Sequence, residues 1–327
     1  MGFSGPLRTK RLAIVGTVAL SLAAIPTFGG GMDIKQKALG ALCGGRAYAR
    51  SSVPYGASPY VELTADGIKG AFLLDYGATR SSLSAAVFPG PDGSVRKAAI
   101  SLPGIENGDF QLARYDLLYQ PGKGQLGVIG DDLLSRLTVQ LTESTAFLGV
   151  EPCQPEAIAA RGLTPIAQDG FFSSDPSMTR AGLPNVPVVF LRLGEVRAFA
   201  QIDTGYEDVV YPRSVDINQA LFDGLIRSGV KMNRIGEIDV WTCEGRERRP
   251  VYQVKDRALA IENEQGKAIV ETEDFHLIVK SANACGGIAD LPEPAAQLGA
   301  SFLRLFGTVI FDPKTARVWL NAGARHR

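Results

Sequence analysis

The chain has 327 residues, of which 45% are hydrophobic and 21% are charged, values that are typical of a globular protein with a sizeable core. This length allows two domains of ordinary size or a single large one. The 34 basic and 34 acidic residues cancel, so no global field favours nucleic acid or an anionic membrane surface, and neither partner is expected.

The N-terminus has the pattern of an export signal. Three basic residues within the first eleven positions precede an apolar, uncharged run over 12–28, which is the order found in secretory signals. The run is at the short limit for a bilayer core of about 30 Å, and 27–31 offers small residues without an A-x-A cleavage site. We therefore predict that 1–30 is a signal peptide or a membrane-anchor helix, with the remainder periplasmic or secreted. A buried helix of the globular domain is the alternative.

Four cysteines fit an exported chain: Cys43, Cys153, Cys243 and Cys285. An even number in an oxidising compartment permits two disulfides, in one of three connectivities. We favour Cys43–Cys153 and Cys243–Cys285, because each pair would close one half of the chain; four unpaired core thiols are the alternative. The sequence has no C-x-x-C spacing and two histidines, so no metal site is predicted.

The first predicted β-hairpin covers 59–75, and its pattern recurs at 187–203. In each segment a proline opens an alternating strand, a glycine-containing turn follows, and a second apolar strand runs into an aspartate, Asp75 or Asp203. Period-two alternation around a short turn is the signature of a hairpin. The offset is 128 residues at both the proline and the aspartate, which indicates an internal duplication.

A second similarity joins 127–149 with 296–321. In each, an apolar residue and a glycine, Gly130 or Gly299, precede a short apolar helix, a strand, a polar turn and a final strand. Thr138 and Thr145 match Thr308 and Thr315 at an offset of 170, so the second half carries about 42 extra residues.

The duplication predicts two related β-rich lobes at 40–153 and 181–323. The segment 154–180 between them is rich in proline and small polar residues, which is typical of a linker.

The two aspartates head similar loops. D-T-G-Y-E-D-V-V, beginning at Asp203, resembles the D-T-G-A-D-D-T-V loop of retropepsins, and D-Y-G-A-T occupies the same place after the first hairpin. The apolar-apolar-glycine elements ending at Gly130 and Gly299 match the second signature of that family, although Gln297 replaces the first apolar residue of one. The supporting loop residues are Tyr76, Gly77, Ala78, Thr79, Thr204 and Gly205. Over about 250 residues the chain thus resembles the aspartic peptidases of the retropepsin and pepsin clan.

This resemblance implies a mainly β, acid-protease fold of two homologous β-barrel-like lobes with a cleft between them. It also implies an exported, monomeric aspartic endopeptidase that acts on peptides or proteins without metal or cofactor. Two carboxylates about 3 Å apart cannot both ionise, so they share a proton. One of Asp75 and Asp203 accepts a proton from water while the other polarises the carbonyl oxygen.

Tyr76 departs from the family pattern, in which threonine or serine braces the two loops through its hydroxyl. A tyrosine hydroxyl lies too far from its backbone for that contact, so either the first loop rearranges or Tyr76 lies in the cleft. Because catalysis depends on accurate positioning, a second hypothesis stays open. It is a catalytically impaired peptide-binding protein on the same fold.

The resemblance also implies a flap over the cleft. The candidates are the hairpin at 101–119, which includes Tyr115, and the hairpin at 254–279; both are ordinary hairpins under the alternative reading.

Three further polar features are given structural roles. The basic run 246–249 is predicted to be a solvated loop. Asp131 and Asp132 begin a predicted helix, where acidic residues complement the helix dipole. His276 lies in a strand-like segment, which favours a structural role over membership of a catalytic triad.

Overall fold

The structure is a computed structural model and describes residues 41–50, 57–91, 93–104, 108–115, 125–166, 186–208, 210–242, 245–282, 284, 287–321 and 325–326. The predicted signal or anchor over 1–30, the pair Cys243 and Cys285, and positions 167–180 of the predicted linker lie outside these ranges. Within the part of the chain that is described, no helix is long and apolar enough to cross a membrane. The chain is mainly β, as predicted.

The elements of the first half are β1 Arg46–Ala49, β2 Tyr60–Ala65, β3 Ile68–Leu74, β4 Ser82–Ser84, β5 Val95–Ile100, β6 Gly108–Tyr115, β7 Gln125–Ile129, α1 Asp131–Leu134, β8 Thr138–Leu141, β9 Thr145–Gly149, α2 Pro155–Ala159 and β10 Leu163–Pro165. Six of these strands close a barrel in the order β2, β3, β7, β4, β6, β5. In β2, buried Val61 and Leu63 flank exposed Glu62, so alternate side chains fill the barrel. Asp66 and Gly67 both have positive φ, 49° and 80°, as a two-residue hairpin turn into β3 requires.

The elements of the second half are β11 Val188–Leu193, β12 Val196–Ile202, β13 Ser214–Ile217, α3 Gln219–Arg227, β14 Lys231–Thr242, β15 Gly245–Lys255, β16 Leu259–Glu262, β17 Ala268–Thr272, β18 His276–Val279, a 3₁₀ helix Gly287–Asp290, β19 Ala295–Leu298, α4 Ala300–Phe306, β20 Val309–Asp312, β21 Arg317–Asn321 and β22 Arg325–His326. Ten strands form one sheet in the order β14, β15, β18, β13, β19, β12, β11, β16, β17, β22. Helix α3 begins at Asn218, whose side chain accepts a hydrogen bond from the Leu221 N–H at 3.0 Å, a normal N-cap.

The predicted duplication is confirmed in the strand pairing. Tyr60 lies opposite Leu73 in β2–β3, and Val188 lies opposite Gln201 in β11–β12, so the two hairpins have the same register at an offset of 128 residues. The parallel pair β3–β7 recurs as β12–β19, and the antiparallel pair β4–β7 recurs as β13–β19. The parallel pair β4–β6 recurs as β13–β18.

The match predicted for the last hairpin is wrong at its end. The turn between β20 and β21 covers 313–316 and is one residue longer than the turn 142–144 between β8 and β9. Ala316 in the longer turn has a positive φ of 50°. Thr145, the first residue of β9, therefore corresponds to Arg317, the first residue of β21, and not to Thr315.

A third sheet joins the two halves in the order β1, β9, β8, β20, β21, β10. Its central pair is β8 with β20, where Val139 lies opposite Phe311. Residues 155–165, which were assigned to the linker, instead form α2 and β10, and β10 pairs with β21 at the edge of the sheet. The predicted disulfide Cys43–Cys153 is present and packs in an apolar cluster with Trp319 of this sheet.

The second half is longer because it carries α3 and the long hairpin β14–β15, inserted between β13 and the strands that follow. The two hairpins proposed as flaps have other bounds than predicted. The first is β5–β6 over 95–115, with 116–119 outside the described residues, and the second is β16–β17 over 259–272. The hairpin that contacts the residues following Asp203 is, however, β14–β15. Ile238 of β14 and Val251 of β15 pack in one cluster with Tyr206 and Tyr211.

The basic run 246–249 lies within β15, so the prediction that it forms a solvated loop is wrong. Arg246 and Arg248 are exposed and pair with Asp239. Arg249 points to the other face of the strand and is only 5% exposed. Its Nη1 donates to Oδ2 of the buried Asp216 at 2.8 Å. The alternation of the strand thus separates one structural arginine from two surface ones.

Replacing both Cys43 and Cys153 with alanine should destabilise the protein by about 3–5 kcal/mol, because the disulfide closes a long loop in the unfolded chain. The two cysteines are 110 residues apart. Urea denaturation of the oxidised wild type and the double variant measures the difference. An unchanged unfolding midpoint would show that the shared sheet holds without the bond.

Arg249→Met should cost about 3–5 kcal/mol, since it leaves Asp216 as a buried carboxyl without its cation. Arg246→Met removes an arginine from the same strand at an exposed site, where ion pairs contribute about 0–1 kcal/mol, and serves as the control. Chemical denaturation of both variants separates the two cases. Equal stability would mean that the buried pair contributes no more than the surface pair.

Candidate active site

The two predicted catalytic aspartates occupy equivalent backbone positions. Asp75 directly follows β3, and its N–H donates to the Ile129 carbonyl at 2.9 Å. Asp203 directly follows β12, and its N–H donates to the Leu298 carbonyl, also at 2.9 Å. In each half the parallel neighbour strand, β7 or β19, therefore fixes the point at which the aspartate leaves the sheet.

The structure brings these two aspartates together. A methyl group on Gly77 would overlap the Asp203 carboxylate, and a methyl group on Gly205 would overlap the Asp75 carboxylate. Each loop therefore needs glycine because the carboxylate of the opposite loop occupies the space of a side chain. The two carboxyl groups lie close enough for each to affect the pKa of the other.

Backbone N–H groups orient both carboxylates. Gly77 donates to Oδ1 of Asp75 at 2.7 Å. Oδ1 of Asp203 accepts from Gly205 at 2.9 Å and from Tyr206 at 3.0 Å. These donors favour the ionised carboxylate and act against the effect of burial.

Withdrawal from water raises the pKa of both aspartates. Repulsion between the two carboxylates adds to the effect of burial, so loss of the last proton from the pair is unfavourable. Because burial and mutual repulsion disfavour two charges, the pair still holds one proton at a pH at which a free aspartate, with a pKa of about 3.9, is ionised.

A threonine hydroxyl from the second loop connects the two loops, as in one half of the expected brace. The Thr204 hydroxyl donates to the Leu74 carbonyl at 2.6 Å and accepts from the Tyr76 N–H at 3.0 Å. Thr204 is completely buried. The first loop thus contributes its backbone to the brace, and the second loop contributes the hydroxyl.

The Tyr76 side chain lies in the core, so it does not line a cleft as one of the two expectations held. Its side chain is 1% exposed, and its ring centroid lies 4.2 Å from that of Phe311 in the shared sheet. Burial and the nearby Asp131 and Asp312 raise the pKa of its hydroxyl well above the usual value. The residue that departs from the family pattern is therefore a core residue beneath the pair.

Gly130 and Gly299 hold the loops from behind. A methyl group on Gly130 would lie 2.6 Å from the Ala78 carbonyl oxygen, and one on Gly299 would lie 2.5 Å from that of Tyr206. The residues that follow them, Asp131 and Ala300, donate their N–H groups to the same two carbonyls at 2.8 Å. Of the predicted loop residues, Thr79 is exposed.

Asp131 and Asp132 lie in the first turn of α1, as predicted, where acidic residues complement the helix dipole. Asp132 accepts from the N–H and the hydroxyl of Ser81 at 2.8 and 2.6 Å, and that hydroxyl accepts from the Gly130 N–H at 2.9 Å. The helix has no side-chain N-cap. Asp131 is 1% exposed, and burial, followed by repulsion from Asp75, raises its pKa well above the usual value.

Sequence reasoning missed three polar contacts of the second half. Tyr206 donates to Oδ1 of Asp216 at 3.0 Å, which links the Asp203 loop to the Arg249 ion pair on β15. Glu207 accepts from the Ala57 N–H at 2.6 Å, just before the barrel of the first half.

The third missed contact is made by Gln297, whose side-chain amide donates to Oδ2 of Asp203 at 2.6 Å. The signal for it was present in the sequence as a polar residue at an apolar position of the motif.

His276 makes its contacts away from the two aspartates. The Nδ1 atom of His276 lies 3.2 Å from the Pro212 carbonyl oxygen, and its ring centroid lies 5.5 Å from that of Tyr211. These contacts agree with the structural role predicted for it. Across the residues that the structure describes, no cluster of three or more histidine, cysteine or acidic side chains could hold a metal ion.

Thr204→Val should destabilise the protein by about 1–3 kcal/mol, because it leaves the buried Leu74 carbonyl and Tyr76 N–H without their partner. Thr204→Ser retains the hydroxyl and should stay close to the wild type. Urea denaturation of the two variants measures the difference, and a valine variant as stable as the serine variant would contradict the brace.

Comparison with known proteins adds no relative on which to base an assignment. No protein-family model matches the chain, and no curated protein matches it significantly. The chemistry of the site is therefore inferred from its residues and their geometry.

Proposed function

We propose that the chain is an exported aspartic endopeptidase in which Asp75 and Asp203 hydrolyse peptide bonds as a shared-proton pair. One observation carries this proposal. The glycine that follows each aspartate by two residues packs directly against the carboxylate of the other loop. An aspartate with only a structural role in a turn does not require a second carboxylate beside it. Two half-buried carboxyl groups this close are unfavourable unless they share a proton.

The proposed fold is that of the acid proteases, with one lobe in each half of the chain. The repeated strand pairing supports it, and so does the sheet through which the halves are joined. In this arrangement the pair lies where the two lobes meet, and the long hairpin β14–β15 is the flap candidate. Its contacts with Tyr206 and Tyr211 place it beside the Asp203 loop.

The proposed reaction needs only the two carboxyl groups and a water molecule. The ionised member accepts a proton as the water oxygen bonds to the carbonyl carbon, and the protonated member donates to the carbonyl oxygen. The backbone donors on both aspartates hold the carboxyl planes in place, so little reorganisation is needed during the reaction.

Export agrees with the disulfide between Cys43 and Cys153, because such bonds persist in oxidising compartments. The basic and apolar N-terminal sequence supports the same proposal. A peptide or protein substrate, a monomeric state and the absence of cofactors remain parts of this proposal.

A second candidate function is peptide binding without catalysis. Tyr76 favours it, because its side chain is buried in the core and Thr204 alone supplies a hydroxyl between the two loops. An incomplete brace leaves the Asp75 side of the pair less constrained, and a loosely held group loses catalytic rate.

Asp75→Asn and Asp203→Asn should each lower cleavage of an unfolded protein mixture by at least about a thousandfold, as expected for residues that act as a unit. The measurement is kcat/KM from acid to neutral pH. The raised pKa values let the pair keep its shared proton as the pH rises. Activity should therefore extend above the pKa of a free aspartate and fall once the pair has lost this last proton.

Asp66→Asn is the matched control, because Asp66 is an exposed aspartate in the turn between β2 and β3 that pairs with Arg96. It should leave kcat/KM unchanged. A hydroxyl-bearing peptide mimic of the transition state should inhibit the wild type. If the folded wild type binds this mimic but cleaves nothing at any pH, the peptide-binding function replaces the enzymatic one.

A further inference from the structure

Gln297 breaks the symmetry of the duplicated site. In the β12–β19 pair it lies opposite Gln201, and at the equivalent place in the β3–β7 pair Val128 lies opposite Leu73. Both residues therefore stand two positions before the glycine of their motif and beside the strand that ends at the catalytic aspartate. The second half has an amide where the first half has an apolar side chain.

The amide makes direct contact with the reacting group. Nε2 of Gln297 lies 2.6 Å from Oδ2 of Asp203, whereas the backbone donors of the loop bind Oδ1 of the same carboxylate. Both oxygens of Asp203 are thus held by N–H groups. Val128 has no donor with which to do the same for Asp75, so the two carboxylates lie in unequal surroundings.

We propose that Gln297 is a further catalytic residue, which stabilises Asp203 as the charged member of the pair and leaves the shared proton on Asp75. This inference rests on the proposed function and assigns the two roles within it. In the addition step the water oxygen bonds to the carbonyl carbon, and the water proton passes to Asp203. The proton of Asp75 passes to the carbonyl oxygen, so the product is a neutral diol and the pair keeps one proton.

Oδ2 of Asp203 can accept the water proton while the amide is bound, because a carboxylate oxygen has two lone pairs. The other titratable groups that act on Asp203 are Asp75 and Asp131 of α1. The Tyr206 phenol of its own loop donates to Asp216 instead. Burial raises the pKa of the Tyr206 phenol well above the usual value, so that group stays neutral across the working range. Substituting Gln297 changes none of these groups.

Gln297→Leu tests the assignment through the pH profile. Removing a donor from the ionised form raises the pH at which the pair takes up its second proton, so the acid limb of kcat/KM should move upward by about one pH unit. A residue that only fills space would lower activity equally at every pH. Gln297→Glu keeps the length of the side chain and adds a like charge, so it should lose more activity than the leucine variant at neutral pH.

Gln219→Leu is the matched control. Gln219 also donates its amide to a carboxylate, Oδ1 of Asp223 at 2.8 Å, but does so on helix α3. This variant should retain the wild-type profile. An acid limb that stays in place in a stably folded Gln297→Leu protein would overturn the proposal.

A second readout does not depend on cleavage. Carbon-13 NMR of protein labelled at the aspartate carboxyl carbons follows the titration of the pair directly in the wild type and in Gln297→Leu. The first titration step should move upward by about one pH unit in the variant, and coinciding titrations would refute the role of Gln297. If the wild type cleaves nothing while the titration moves as expected, the proposed peptidase function fails and the charge assignment stands.

Discussion

The architecture of the site depends on the contact between two glycine-containing loops and two carboxylates. Gly77 and Gly205 each occupy a place where any side chain would overlap the aspartate of the other loop. The Thr204 hydroxyl joins the loop backbones by bonding Leu74 and Tyr76. The barrel, the ten-stranded sheet and the sheet that joins them bring these loops to the same point from opposite halves of the chain.

The backbone of the site is more similar between the two halves of the chain than its side chains are. The backbone bonds that hold Asp75 and Asp203 to β7 and β19 have equal lengths, because the strand pairing of the two halves corresponds. The side chains around them differ. The buried Tyr76 of the first half corresponds to the bracing Thr204 of the second, and Val128 corresponds to Gln297. In the proposed reaction one carboxyl donates a proton while the other accepts one, so unequal surroundings suit the chemistry better than equal ones.

Several features could be predicted from the sequence because they depend on local pattern or simple chain closure. The hairpins before Asp75 and Asp203, their shared offset and the Cys43–Cys153 disulfide belong to this group. Arg249 was misjudged because a run of basic letters does not reveal which residues face inward. That depends on whether the segment is a strand and on where Asp216 lies. The length of the linker was overestimated for a similar reason, since β10 is stabilised by a distant strand, β21.

Residue alternation and turn chemistry act over a few neighbouring positions, so the duplicated hairpins that precede the two aspartates can be predicted from the amino-acid order alone. The approach of the two carboxylates, the packing of Tyr76 against Phe311 and the bond from Gln297 to Asp203 become visible once the chain is folded. These contacts join residues separated by about 90 to 240 positions. They follow from how the sheets pack, and no local pattern encodes that packing.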